Sequence, residues 1–154
     1  MPFPSSVTDI SLLCGTNNLS STAAATISAT IMEILFILHQ KCPTASIHLF
    51  PILPRFDNYQ SQVCVANSLI NFQVKEAFSD SVFLHDLPSS LYNRNVYRDD
   101  NIHLTNKGND IPFRWIHFCM KTSSVLQPKP DPPPAATDFS SFLGLLGKLL
   151  LTFL

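Results

Sequence analysis

Asp100 and His103 stand three residues apart in the stretch Asp99-Asp100-Asn101-Ile102-His103-Leu104-Thr105. At that spacing in a loop, a carboxylate can meet an imidazole and fix its tautomer. It then stabilises the imidazolium that forms when the histidine acts as a general base. The competing reading is an aspartate that caps a turn beside a solvated histidine. Far upstream, Gly15-Thr16-Asn17-Asn18 follows directly on an apolar run. The Asn17 side-chain amide can donate to a developing oxyanion, and Gly15 permits the tight turn that presents it. A turn that only caps a helix is the alternative. A metal reading of Asp99, Asp100, His103 and His85 is weaker, because no second histidine lies at ligand spacing.

Such groups must be positioned by regular elements, and the hydrophobic pattern supplies them. Val7–Cys14 ends in a near-continuous apolar run closed by Gly15, as expected of a strand buried on both faces. Ile27, Ile31, Ile34, Leu35 and Leu38 then recur at helical spacing until Cys42-Pro43, which predicts a helix of about five turns. Ile47–Leu53 is a second strand, with Pro51 and Pro54 forcing an extended exit. Val63, Ala66, Ile70, Val74 and Ala77 form the stripe of a second helix, and Val82–His85 is a short third strand. After the polar loop 86–106 comes an apolar segment, Phe113–Met120. Pro112 removes a hydrogen-bond donor, so this last helix is expected to begin near Asp110 with the proline in its first turn.

Strands alternating with helices predict an α/β fold with a parallel sheet. Ligands bind such sheets beyond the carboxyl ends of the strands, which is where both polar clusters fall. The domain is expected to end near residue 121, followed by a proline-rich linker over 122–137 and an apolar helix over 138–154. In that last segment Ser140, Gly144, Lys148 and Thr152 line up every fourth residue among Leu and Phe. At about 24 Å the segment is short for a bilayer span. Its expected roles are docking on an apolar surface or membrane contact.

The chain has 154 residues, of which 45% are hydrophobic and 14% charged, enough for one packed core and too apolar for general disorder. A formal charge of -1 without basic blocks argues against nucleic acid as a partner. Cys14, Cys42, Cys64 and Cys119 lie far apart in apolar stretches, a pattern of buried thiols in a reducing, cytoplasmic setting rather than of disulfides or zinc. No signal peptide is visible in the first residues.

Four stretches together resemble one family. ISLLCGTNNLSS is similar to the strand and G-x-N-D turn of SGNH hydrolases, the GDSL-like lipases and esterases, and HLFPILPR to their next strand and exit loop. SLINFQVKEAF resembles the following helix, and YRDDNIHLTNKGN the D-x-x-H block with its trailing glycine; the likeness runs from about Val7 to Met120. It implies a three-layer, flavodoxin-like parallel sheet, here truncated to about three strands, and acyl-ester hydrolysis without a cofactor. It also implies roles: His103 as general base, Asp100 as its orienting acid, Asn17 as oxyanion-hole donor. Asn18 stands where the family usually has aspartate, and Pro112 is unusual for the terminal helix.

In that family the nucleophilic serine sits in a G-D-S block well ahead of the G-x-N-D turn. The distance from Met1 to Gly15 leaves no room for it. Ser5 and Ser6 precede the first strand, which at about 3.3 Å per residue puts them more than ~20 Å from its far end. Ser20 and Ser21 are on the correct side but need a base within reach. The expectation is therefore a domain with little or no turnover alone, acting on an ester substrate only if complemented. Similar domains occur in transposon-encoded proteins, so a mobile-element remnant is one alternative. Removing two strands also leaves the Val7–Cys14 strand at an edge, open to self-association or a complementing chain.

Overall fold

The computed structural model describes residues 7–78 and 81–126. Three parallel strands form one sheet in the order β1-β2-β3. They are β1 (Asp9–Leu12), β2 (Ser46–Leu49) and β3 (Val82–Leu84). Ile10 lies beside Ile47 and Leu12 beside Leu49, while Ile47 and Leu49 face Val82 and Leu84 on the other side. Two long helices connect the strands, α1 (Ala24–Lys41) and α2 (Gln60–Ala77), and α3 (Asn106–Leu126) closes the described chain. This is the expected α/β architecture, a three-stranded parallel portion of a flavodoxin-like sheet.

Period decides which surfaces meet. Ile27, Ile31 and Leu35 of α1 are buried, four residues apart on one face. Val63, Ala66, Ile70 and Val74 form the corresponding stripe of α2. Both stripes join Ile47, Leu49 and Val82 in one core with Ile52 and Phe78. Each fully buried Leu or Ile there contributes roughly 1.5–3 kcal/mol relative to exposure. Ser28, fully buried on α1, donates to Gln73 Oε1 of α2 at 2.5 Å and leaves no polar group stranded between the helices.

The opposite face of the sheet is polar at its centre. His48 is 1% exposed, its Nδ1 2.9 Å from His85 Nε2 and its Nε2 3.3 Å from Asp9 Oδ1. Phe83 stacks on His48, and Phe50 stacks on His85. β1 departs from the expectation of burial on both faces: Ser11 is exposed, and Asp9, Ile10 and Leu12 are half-buried. Its position explains this, since among the described residues β1 has a strand neighbour on one side only.

The start of α3 is a second correction. The helix begins at Asn106 rather than near Asp110, and Pro112 lies inside it. Thr105 decides the start, because its hydroxyl accepts from the Gly108 N–H at 3.0 Å while its carbonyl accepts from Asn109 N–H at 2.9 Å. Pro112 then leaves only the Gly108 carbonyl without its helical donor. At the other end α3 runs to Leu126, into the stretch expected to be linker. The rest of that linker, the apolar segment 138–154, and Ser5 and Ser6 lie outside the described residues. Among those described, no helix is long and apolar enough to cross a membrane. The cysteines are all free; Cys42 and Cys119 are buried as expected, Cys14 is half-buried, and Cys64 is exposed.

Candidate active site

Three chain segments leave the carboxyl ends of the three strands, and the candidate residues sit on the first and third. After β1 the chain turns at Gly15, whose φ of 102° is in the left-handed region. A Cβ at Gly15 would also lie 3.1 Å from two carbons of the Ile52 side chain, so conformation and packing both select glycine. The turn closes as a short 3-10 helix over Thr16–Ser20, with Asn18 N–H donating to Gly15 O at 3.2 Å. Ser20 and Ser21 donate their hydroxyls to the carbonyls of Asn17 and Asn18, at 3.0 and 3.4 Å. Both hydroxyls are thus engaged in bracing the turn. The Asn17 side chain is exposed and makes no hydrogen bond with the described residues, so its amide is available to a ligand oxygen.

The third segment carries the candidate acid–base pair. Asp100 Oδ2 lies 2.8 Å from His103 Nδ1, and Asp100 Oδ1 accepts from the Ile102 and His103 backbone N–H groups, both at 2.9 Å. These donors, the His103 backbone first, hold the Asp100 carboxyl well below the usual carboxylate range. An ionised carboxylate can only accept, so Nδ1 is the donor of this pair, and in the neutral imidazole Nε2 holds the lone pair. Asn101, at φ 64°, is the left-handed residue that lets the loop curl around the carboxylate.

The loop has its own support. Tyr97 and Leu104 form an antiparallel bridge, Arg98 N–H donates to His103 O at 2.7 Å, and Thr105 N–H donates to Val96 O at 2.9 Å. Leu91, Tyr97 and Leu104 form a small core against Leu53, Phe56 and Ile111. Burial pushes the Tyr97 hydroxyl up to about 12, and it donates to Leu91 O at 3.0 Å. Trp115 of α3 anchors the helix to the loop by donating to Asp86 O at 2.7 Å.

Asp100 and His103 are thus in direct contact, whereas Asn17 hydrogen-bonds to neither. His85 lies with His48 rather than with Asp99, Asp100 and His103, and the described residues contain no group able to hold a metal ion. What links the two halves is the segment after β2. Arg55 is 2% exposed, donates from Nη1 to Thr16 O at 2.7 Å, and forms a forked ion pair with Asp57. The next residue, Phe56, donates its N–H to Asn101 O at 2.9 Å. Arg55 was visible in the sequence only as the last residue of the exit loop. The available signal was an arginine closing an apolar, proline-bounded run with an aspartate two residues on.

Solved structures share this arrangement of elements. A carbohydrate esterase family 3 protein from Talaromyces cellulolyticus superposes with a TM-score of 0.61 at 17% identity, over 77% of this chain and 60% of that one. An acetyl esterase mutant with acetate ion gives 0.58 at 18% identity, over 74% and 59%. The fold is that of these esterases. The described chain spans about three-fifths of their length. No family model matches the chain. No curated protein matches it either. The likeness read from the four sequence stretches and the superposition agree on the fold.

Proposed function

We propose that this chain carries the acid–base and oxyanion half of an ester-hydrolase site. The observation that carries the reading is the Asp100–His103 pair, 2.8 Å apart beyond the end of β3 in an esterase fold. In this scheme His103 Nε2 takes the proton of an attacking hydroxyl, and Asp100 stabilises the imidazolium. The Asn17 amide donates to the oxyanion that develops on the acyl carbon. The substrate class is an acyl ester. The nucleophile comes from outside the described residues, since Ser20 and Ser21 are bound to their own turn. The described residues alone therefore give little or no turnover. Four free cysteines favour a reducing, cytoplasmic setting for this reading.

A second reading, a non-catalytic interaction protein, is favoured by the open edge of β1 with its half-exposed Ile10 and Leu12. Two measurements test the site reading. The purified chain and its His103→Ala variant should hydrolyse p-nitrophenyl acetate equally slowly; hydrolysis lost in the variant would show that the chain supplies its own nucleophile. Nitrogen-15 NMR of the imidazole should find His103 protonated at Nδ1 at neutral pH. A proton on Nε2 instead would refute the general-base assignment and leave the interaction reading.

A further inference from the structure

We propose that Arg55 is a positioning residue that holds the Asn17 turn and the Asp100–His103 loop in one fixed relation. This rests on the site reading above and adds to it the element that joins its halves. Arg55 sits on neither half, yet both are tied to it and its neighbour. Its Nη1 donates to the Thr16 carbonyl at 2.7 Å. That carbonyl and the Asn17 N–H belong to one planar peptide, so fixing the oxygen fixes the direction of the Asn17 amide and the start of its side chain. One residue on, Phe56 N–H donates to the carbonyl of Asn101, between the acid and the base. The Phe56 ring also meets Tyr97 edge-on at 5.0 Å, and Tyr97 bridges to Leu104 beside His103.

The guanidinium is held from three sides, as positioning requires. Asp57 accepts from Nε at 3.0 Å and also from Nη2, which neutralises a cation that is almost fully buried. The Arg55 backbone N–H donates to Gln60 Oε1 at 2.7 Å, locking the segment to the first turn of α2. Tyr59 presents its ring to the guanidinium at 5.1 Å. A planar fork can pair with Asp57 and reach Thr16 at once. A lysine ammonium keeps the charge but cannot reproduce that fork. Arg55→Lys therefore isolates geometry from charge.

Amide hydrogen exchange on the full chain reads the effect without needing turnover. With Arg55→Lys, the Asn18 amide in the first half and the Phe56 and His103 amides at the second should exchange roughly tenfold faster, equivalent to about 1.4 kcal/mol. Amides of Ile31 and Val74 in the helical core should keep their parent rates, which a general loss of stability would not allow. Asp57→Asn, which frees the guanidinium without removing it, should produce the same pattern and serves if Arg55→Lys does not fold. Unchanged rates at either half, or a rise shared equally with the helical core, would overturn the inference. Neither result depends on the His103 tautomer, so failure here and failure of the esterase reading are separate outcomes.

Discussion

Gly108→Ala is the sharpest single test of how the Asp100–His103 loop is fastened. Alanine at a helical position ordinarily stabilises by about 0.5–1 kcal/mol relative to glycine. Here an added Cβ would lie 2.2 Å from the Val96 carbonyl oxygen and 3.2 Å from Thr105 Oγ1. The oxygen is backbone and cannot rotate aside, and it already accepts from Thr105 N–H at 2.9 Å and from the Thr105 hydroxyl at 3.1 Å. Relief means separating α3 from residues 94–96 and weakening those two bonds. Overpacking costs about 1–3 kcal/mol. Each weakened bond adds up to about 1 kcal/mol. After the propensity gain the net loss is roughly 2 kcal/mol, a fall of about 5–12 °C in Tm for a domain of this size. Thermal unfolding followed by far-ultraviolet circular dichroism checks the value. An unchanged or raised Tm would refute the reasoning, because it would mean that propensity wins and that the close approach of α3 to the loop does not hold.

Two further outcomes follow from half-buried polar groups. Burial, and then the neighbouring His48, push the His85 imidazole below its ordinary value, with Asp86 opposing. The unfolded chain therefore binds a proton near pH 6.5 that the folded chain resists, and unfolding free energy should fall as pH drops below about 6.5, levelling off below the folded value. Urea melts from about pH 7.5 down to about pH 5 should show this slope, and it should shrink in His85→Phe; parallel curves would count against it. Asn67 accepts from the Ile52 N–H at 2.8 Å and donates to the Ile52 carbonyl at 3.1 Å, acting as a strand partner for the segment after β2. Asn67→Leu should lower the urea-unfolding free energy by about 2–4 kcal/mol, since two backbone groups lose their partners. A loss below about 0.5 kcal/mol would show that water replaces the amide.

The parts legible in the sequence are those whose cause is local. α1 and α2 declare themselves because Ile27, Ile31 and Leu35, like Ala66, Ile70 and Val74, repeat at the period of the helix they form. Asp100 and His103 are three residues apart, and the loop between them folds on their own bonds. α3 is capped by Thr105 and carries Pro112 within it, so the proline, the most conspicuous local signal in this stretch, does not mark the boundary. Arg55, His48 and Asn67 were not legible for a common reason. The partners that give them their place lie far off in the chain, Thr16 for Arg55 beyond its local ion pair with Asp57, Asp9 and His85 for His48, and Ile52 for Asn67, and an apolar run such as IHLFPIL gives no sign that its histidine is paired.

The same division between local and distant causes bears on which half of the site tolerates change. The Asp100 carboxylate is held by two backbone N–H groups and one imidazole from its own loop, so the proposed acid–base pair is assembled from local bonds. The Asn17 turn is less self-sufficient: Gly15 must pack on Ile52, and the Thr16 carbonyl must find Arg55. Both contacts come from the segment after β2, whose course is set by Asn67 and Gln60 of α2. Ile52 and Arg55 therefore bear directly on the proposed oxyanion donor, whereas the same segment reaches the proposed base only through Phe56 N–H and the Asn101 carbonyl. Oxyanion stabilisation requires donors aimed to within a few tenths of an ångström, whereas a histidine can take a proton from any hydroxyl within hydrogen-bond reach. The exit of β2, which bears none of the three candidate residues, is thus where the proposed site is most exposed to mutation.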